Sequence, residues 1–310
     1  MSHISKWDKT PEFFEQIKAM IVHSKMNEDI HITPDNVYQE AYKPNRDTLF
    51  NIIKMGHLEG STLLGTDNLK KLNQLAKEGK SCLILSEHLS NMDVPSMFVR
   101  FYDQPDNEMK EIFEKLIFIA GAKLNQTPLV KLFTEMFTRV VIYAIRSLVK
   151  ISGDDSKKDE MDLAKKINMR ATRKILELKH KNHIFVMYPT GTRYREWDPD
   201  SKKGMKETMA YLNSFDYLCC CSINGNIMRP KEHEDMTRET FTQDLLVFNF
   251  GEVFESKSFI ESINQQNNSI TDKDELRQIQ VDEIMNKIEN LHNNAEKYRK
   301  PILEKLGYDG

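Results

Sequence analysis

The stretch Ser81-Cys-Leu-Ile-Leu-Ser-Glu-His-Leu-Ser-Asn-Met-Asp-Val-Pro-Ser96 decides how the chain is read. Its first six residues carry no charge and are mostly apolar, as in a strand buried on both faces. A polar loop follows. Asp93 then opens a helix, with Pro95 in the first turn, where a missing N–H costs no hydrogen bond. Strand, polar loop and helix form the unit of an open α/β sheet, whose ligands sit beyond the carboxyl ends of the strands. His88 and Asp93 lie at that end. If the loop folds back, the carboxylate accepts one imidazole N–H, which fixes the tautomer and leaves the other ring nitrogen as a base. Each residue also has a plain structural role open to it, Asp93 as a helix N-cap and His88 as a surface histidine at a strand end.

Outward from this stretch the same texture repeats. Apolar runs at Leu116–Ala120, Arg139–Ala144, His183–Tyr188, Tyr217–Ile223 and Leu245–Phe250 read as strands. Between them, Val94–Tyr102, Pro128–Phe137, Met161–Lys179 and Met205–Leu212 read as helices. This alternation predicts an α/β fold with a largely parallel or mixed sheet covered by helices. Residues 1–75 show no strand signal and read as a smaller helical subdomain, opened by Thr10-Pro11, ahead of an α/β domain over 76–310. Residues 262–270 read as a polar linker and Asp272–Glu296 as a C-terminal helix.

A second polar cluster ends the run at His183–Tyr188. Pro189-Thr-Gly191-Thr-Arg193-Tyr-Arg195 stops the strand and turns the backbone, placing two arginines at i and i+2. On an extended turn such residues share a face, so both guanidiniums can fork onto one phosphate. Two solvated loop arginines are the plainer alternative.

The bulk numbers leave room for this chemistry and narrow the class. With 310 residues, 39% hydrophobic and 29% charged, the chain suits a folded globular protein. No apolar run reaches the roughly 18 residues of a spanning helix, and the first residues lack a signal-peptide core. A cytoplasmic location is expected. The four cysteines, Cys82 and Cys219–Cys221, have no CxxC spacing, so zinc is not expected and reduced buried thiols are. The net charge of −3 implies no nucleic-acid partner. Yet residues 139–206 hold 17 Lys or Arg against 9 Asp or Glu, a basic middle suited to an anionic ligand or surface.

Taken together, His88–Asp93 and Tyr188–Tyr194 resemble the HxxxxD and FPEGTRS motifs of the glycerolipid acyltransferases, in the same order and about a hundred residues apart. Leu116–Gly121, Thr127-Pro128, Val140–Arg146, Ala171–Arg173 and the Arg193-x-Arg195 pair further resemble the soluble glycerol-3-phosphate acyltransferase of plant chloroplasts. The sequence departs from that pattern in three places. Thr190 stands where the family has Glu, Leu218–Ile223 lacks the usual Pro, and Ser147 rather than a base follows Arg146.

The resemblance implies transfer of an acyl group from acyl-CoA or acyl-carrier protein to glycerol 3-phosphate, with His88 as base and Asp93 as its partner. Arg193, Arg195 and Arg146 would hold the acceptor phosphate, and backbone N–H groups around Gly191 and Thr192 the oxyanion. No cofactor or metal is implied, while the amphiphilic product together with the basic residues of Met161–Lys181 points to peripheral contact with an anionic membrane. A lysophosphatidate acceptor, or a lipid- or phosphate-binding protein without turnover, remains open. So does a serine nucleophile at Ser86 or Ser90, although neither sits in a GxSxG elbow.

Overall fold

The computed structural model describes residues 10–25, 28, 31–125, 128–144, 148, 155–232 and 239–308. Arg146, Thr127 and Ser147 lie outside them.

An eight-stranded mixed sheet carries the molecule. Its strands are β1 Tyr38–Gln39, β2 Thr62–Leu64, β3 Cys82–Ser86, β4 Leu116–Gly121, β5 Arg139–Ile142, β6 Ile184–Met187, β7 Tyr217–Asn224 and β10 Val247–Glu255. In space they run β1-β5-β4-β6-β3-β7-β10-β2. The five strands from β5 to β7 are parallel, and β1 and β10 join antiparallel to their inner neighbours. A small ribbon, β8 Met228–Arg229 with β9 Thr240–Phe241, lies apart.

Strand alternation divides the core in two. Cys82, Ile84, Ile184, Val186, Cys219 and Cys221 face one side. There they meet helices α1 Pro11–Val22, α2 Arg46–Met55, α3 Thr66–Lys77, α4 Asp93–Tyr102, α5 Asn107–Glu114 and α6 Pro128–Thr134. Leu83, Leu85, Phe185, Met187, Leu218 and Cys220 face the other side. Helices α7 Lys158–Leu178, α8 Met209–Leu212 and α10 Lys273–Leu306 cover them. The cysteines behave as small apolar groups, and burial pushes the Cys82 and Cys220 thiols up to about 12.

Three sequence expectations are corrected. Strands do occur before residue 80: Tyr38 pairs with Val140, and Thr62 with Val247. Runs of two and three residues are too short to show an alternation, and only the sheet beside them makes them strands. The segment read as a linker belongs largely to helix α9, Ser256–Gln266, anchored by buried Ile263. The C-terminal helix continues through Pro301 to a left-handed Gly307 cap. Burial of Ala295 and Leu303 against Leu245 and Val247 outweighs the proline there. At its start, α10 is capped by Asp272, whose carboxylate accepts the Asp274 and Glu275 N–H groups. The Thr10 hydroxyl caps α1 in the same way.

Candidate active site

The register of β3 and β6 brings the two polar clusters together. These strands are parallel neighbours, with Leu85 opposite Met187, so the loops that follow them emerge side by side. The Tyr194 N–H donates to the His88 carbonyl at 2.8 Å and clips one loop to the other.

The loop after β3 does fold back. His88 Nδ1 lies 2.7 Å from Asp93 Oδ2. The same oxygen accepts the Leu89 N–H at 2.8 Å, and Oδ1 accepts the Ser90 N–H at 3.0 Å and hydroxyl at 3.1 Å. A carboxylate receiving these donors has only acceptor sites to offer, so Nδ1 carries the hydrogen and Nε2 is left as a base. Asp93 is the first residue of α4, and Met92 holds the cap position without a side-chain bond. The N-cap role open to Asp93 in the sequence is not the one it plays. Its carboxylate organises the preceding loop instead.

The imidazole stacks on Tyr188, centroids 4.0 Å apart and 17° from parallel. Tyr188 is half-buried, and its hydroxyl, buried itself, has no hydrogen-bond partner. Burial, helped by the charge of Asp93, pushes that phenol well above its ordinary value, so it stays neutral. The ring gives His88 a flat apolar wall. Neither rival serine is bonded to the histidine: Ser86 Oγ donates to the Glu87 carbonyl and Ser90 Oγ to Asp93.

Two cavities meet at His88. The larger, about 630 Å³, is walled mainly by apolar groups such as Phe118, Ile142, Ile175, Leu176 and Met187. The smaller, about 220 Å³, is lined by Glu87, Thr190, Tyr194, Lys202, Asn286 and Glu289 among others. Thr190, in place of the expected glutamate, donates from its hydroxyl to the Thr192 carbonyl at 2.6 Å and holds the turn. Gly191 has φ +61°, and a side chain there would meet Met205 Sδ at 2.8 Å. Its N–H closes the turn onto the Tyr188 carbonyl at 3.0 Å. Of the two amides considered for an oxyanion, only that of Thr192 remains a candidate.

The two arginines meet different protein carboxylates. Arg193 pairs with Glu239, both nearly buried. Burial pushes the Glu239 carboxyl up against the opposing pull of Arg193 and, less strongly, Arg195. Arg195 itself lies 3.7 Å from Asp198. Neither arginine lines either cavity. Sequence reasoning missed Glu239, Lys202 and the partners of Glu87. Glu239 and the partners of Glu87 are remote in the chain from the motifs they join, and Lys202, eight residues past Tyr194, carries no local pattern.

The sheet thus presents a carboxylate-paired histidine at a strand end, beside two cavities. Residues 64–228 match the family described as Acyltransferase, over half of the sequence, and the chain belongs to that family. Among solved structures it is similar to the 1-acyl-sn-glycerophosphate (LPA) acyltransferase PlsC from Thermotoga maritima. The two are 16% identical with a TM-score of 0.41, over 80% of this chain and 81% of that one. Comparison with curated proteins gives no match.

Proposed function

We propose that this protein transfers a fatty acyl group from a thioester, on CoA or acyl-carrier protein, to the 1-hydroxyl of glycerol 3-phosphate. The observation that carries the reading is the His88–Asp93 pair standing where a large apolar cavity meets a smaller one edged with charged side chains. His88 Nε2 removes the hydroxyl proton as the oxygen attacks the thioester carbonyl. The tetrahedral oxyanion takes a hydrogen bond from the Thr192 N–H. When it collapses, the C–S bond breaks and His88 returns the proton to the departing sulfur. The larger cavity takes the acyl chain. The other cavity at His88 is about a third of that volume and carries Glu87, Lys202, Lys203 and Glu289 on its wall, which favours a compact charged acceptor over lysophosphatidate. An assay with labelled acyl thioester and each acceptor tests this, and a preference for lysophosphatidate would reverse the assignment.

Arg193 and Arg195 are proposed as the phosphate clamp, with Arg146 as a third cation. Arg193 already grips one buried carboxylate, which supports the idea, the phosphate taking the place of Glu239. Charge-assisted bonds of this kind contribute on the order of 1.5–3 kcal/mol. Arg193→Ala should therefore lower kcat/KM for glycerol 3-phosphate by about 10- to 150-fold, with the donor's KM little changed. Lysine, lacking the planar fork, should restore only part. Plain glycerol, which has no phosphate, should lose little. Because Arg193→Ala strands Glu239, the Arg193→Ala/Glu239→Gln double variant is measured alongside. Equal losses with both acceptors in both variants would move the phosphate elsewhere.

A lipid surface is the proposed source of substrate. Among the described residues, no helix is long and apolar enough to cross a membrane. Helix α7, however, exposes Leu163, Met169 and Leu176, and Leu176 also lines the larger cavity. Lys166, Arg170 and Arg173 share that outer face without a carboxylate partner among the described residues. Such cations contribute about 1 kcal/mol each near an anionic headgroup layer. The protein should sediment with anionic vesicles at low salt and be released at high salt. Equal binding to neutral vesicles would rule out the basic face.

A further inference from the structure

Glu87, the residue before His88, is held more tightly than its place in a loop requires. Its N–H donates to the Cys221 carbonyl at 3.0 Å, extending the β3–β7 ladder by one step. Its carboxylate Oε2 accepts the Ile223 N–H at 2.9 Å and lies 2.9 Å from Nδ1 of His292, on helix α10. The side chain is 9% exposed. A buried carboxylate is costly without partners of this kind. His292 is itself surrounded by acids: Glu87 from the loop, with Glu289 and Glu296 one turn away on its own helix. The nearby cations are committed to those acids, Lys202 to Glu289 and Arg299 to Glu296 and Asp244. Helix α10 is pinned beside it, since Asn224 of β7 donates to the His292 carbonyl and to Glu296.

Resting on the acyl-transfer reading, we infer that Glu87 and His292 are positioning residues that lock the His88 loop to the C-terminal helix. The proton on His292 closes the lock. Burial opposes that proton, but the bond to Glu87 and the acids around it prevail and hold the imidazole above its ordinary value of 6.5. The sign follows directly. The stabilisation is complete below about 6.5 and is lost as pH rises through the higher folded value. A slackened loop moves the base relative to substrate, so the loss falls on turnover rather than on donor binding.

The test uses the full chain in three variants: Glu87→Gln, His292→Gln and the double. Imidazole titration by NMR should place His292 above 6.5 in the wild type and lower it in Glu87→Gln. Both single variants should lower kcat about tenfold with the donor's KM unchanged, and the double should lose no more than either, as for one shared interaction. Both should also flatten the alkaline fall in melting temperature. An unmoved His292 titration in Glu87→Gln would remove the pair, whatever the enzyme's activity. A moved titration with unchanged kcat would leave the pair structural and end the positioning role. Absence of acyl transfer in the wild type would instead defeat the proposed function, and leave the titration result standing.

Discussion

Replacing His88 with alanine is expected to lower turnover by at least about a hundredfold, the usual scale for loss of a general base. The fold should survive. The side chain is 20% exposed, its ring packs on Tyr188, and the Leu89 and Ser90 bonds to Asp93 remain when it is gone. Unchanged circular dichroism together with a collapsed rate would place His88 in the chemistry. A near-normal rate would remove it from the mechanism.

Asp93→Asn is expected to cost more than the removal of one charge. The carboxylate accepts from four donors: His88 Nδ1, two backbone N–H groups and the Ser90 hydroxyl. An amide has one oxygen, and its NH₂ would face groups that also donate. Either the amide turns its oxygen to His88 and abandons the Ser90 pair, or it keeps that pair and presses the imidazole into the wrong tautomer. The first choice costs on the order of 1–3 kcal/mol of stability for each group left unpaired. The second costs turnover, by about 10³- to 10⁴-fold where a triad carboxylate has been changed in this way. Both effects should appear, as a lower melting temperature and a lower kcat, with the acceptor's KM changed least. A variant of full activity and reduced stability would show that Asp93 only shapes the loop.

Much of the fold was legible because buried parallel strands are nearly unbroken apolar runs. β3, β4, β6 and β7 fall within a residue or so of the runs that announce them. The His88–Asp93 contact was legible too, since five residues across a strand-to-helix turn leave few other ways to place them. Spacing did not reveal which backbone groups Asp93 would hold. Its four bonds depend on the loop's path, which no periodic pattern encodes. Short strands β1 and β2 were illegible for a related reason: their partners lie about 100 and 185 residues away.

By itself, then, the sequence determined the sheet class, the pairing of His88 with Asp93, and a loop bearing two arginines. Each rests on a local cause: an apolar run, a turn of fixed length, residues two apart on an extended backbone. Only the tertiary structure decided what those groups touch. It set the loops of β3 and β6 side by side, opened two cavities at His88, and seated Glu239 on Arg193. It also carried His292 to Glu87 across 205 positions of chain. Contacts of that kind form because burial of two apolar faces against one sheet brings distant segments together. No short window of residues contains that information.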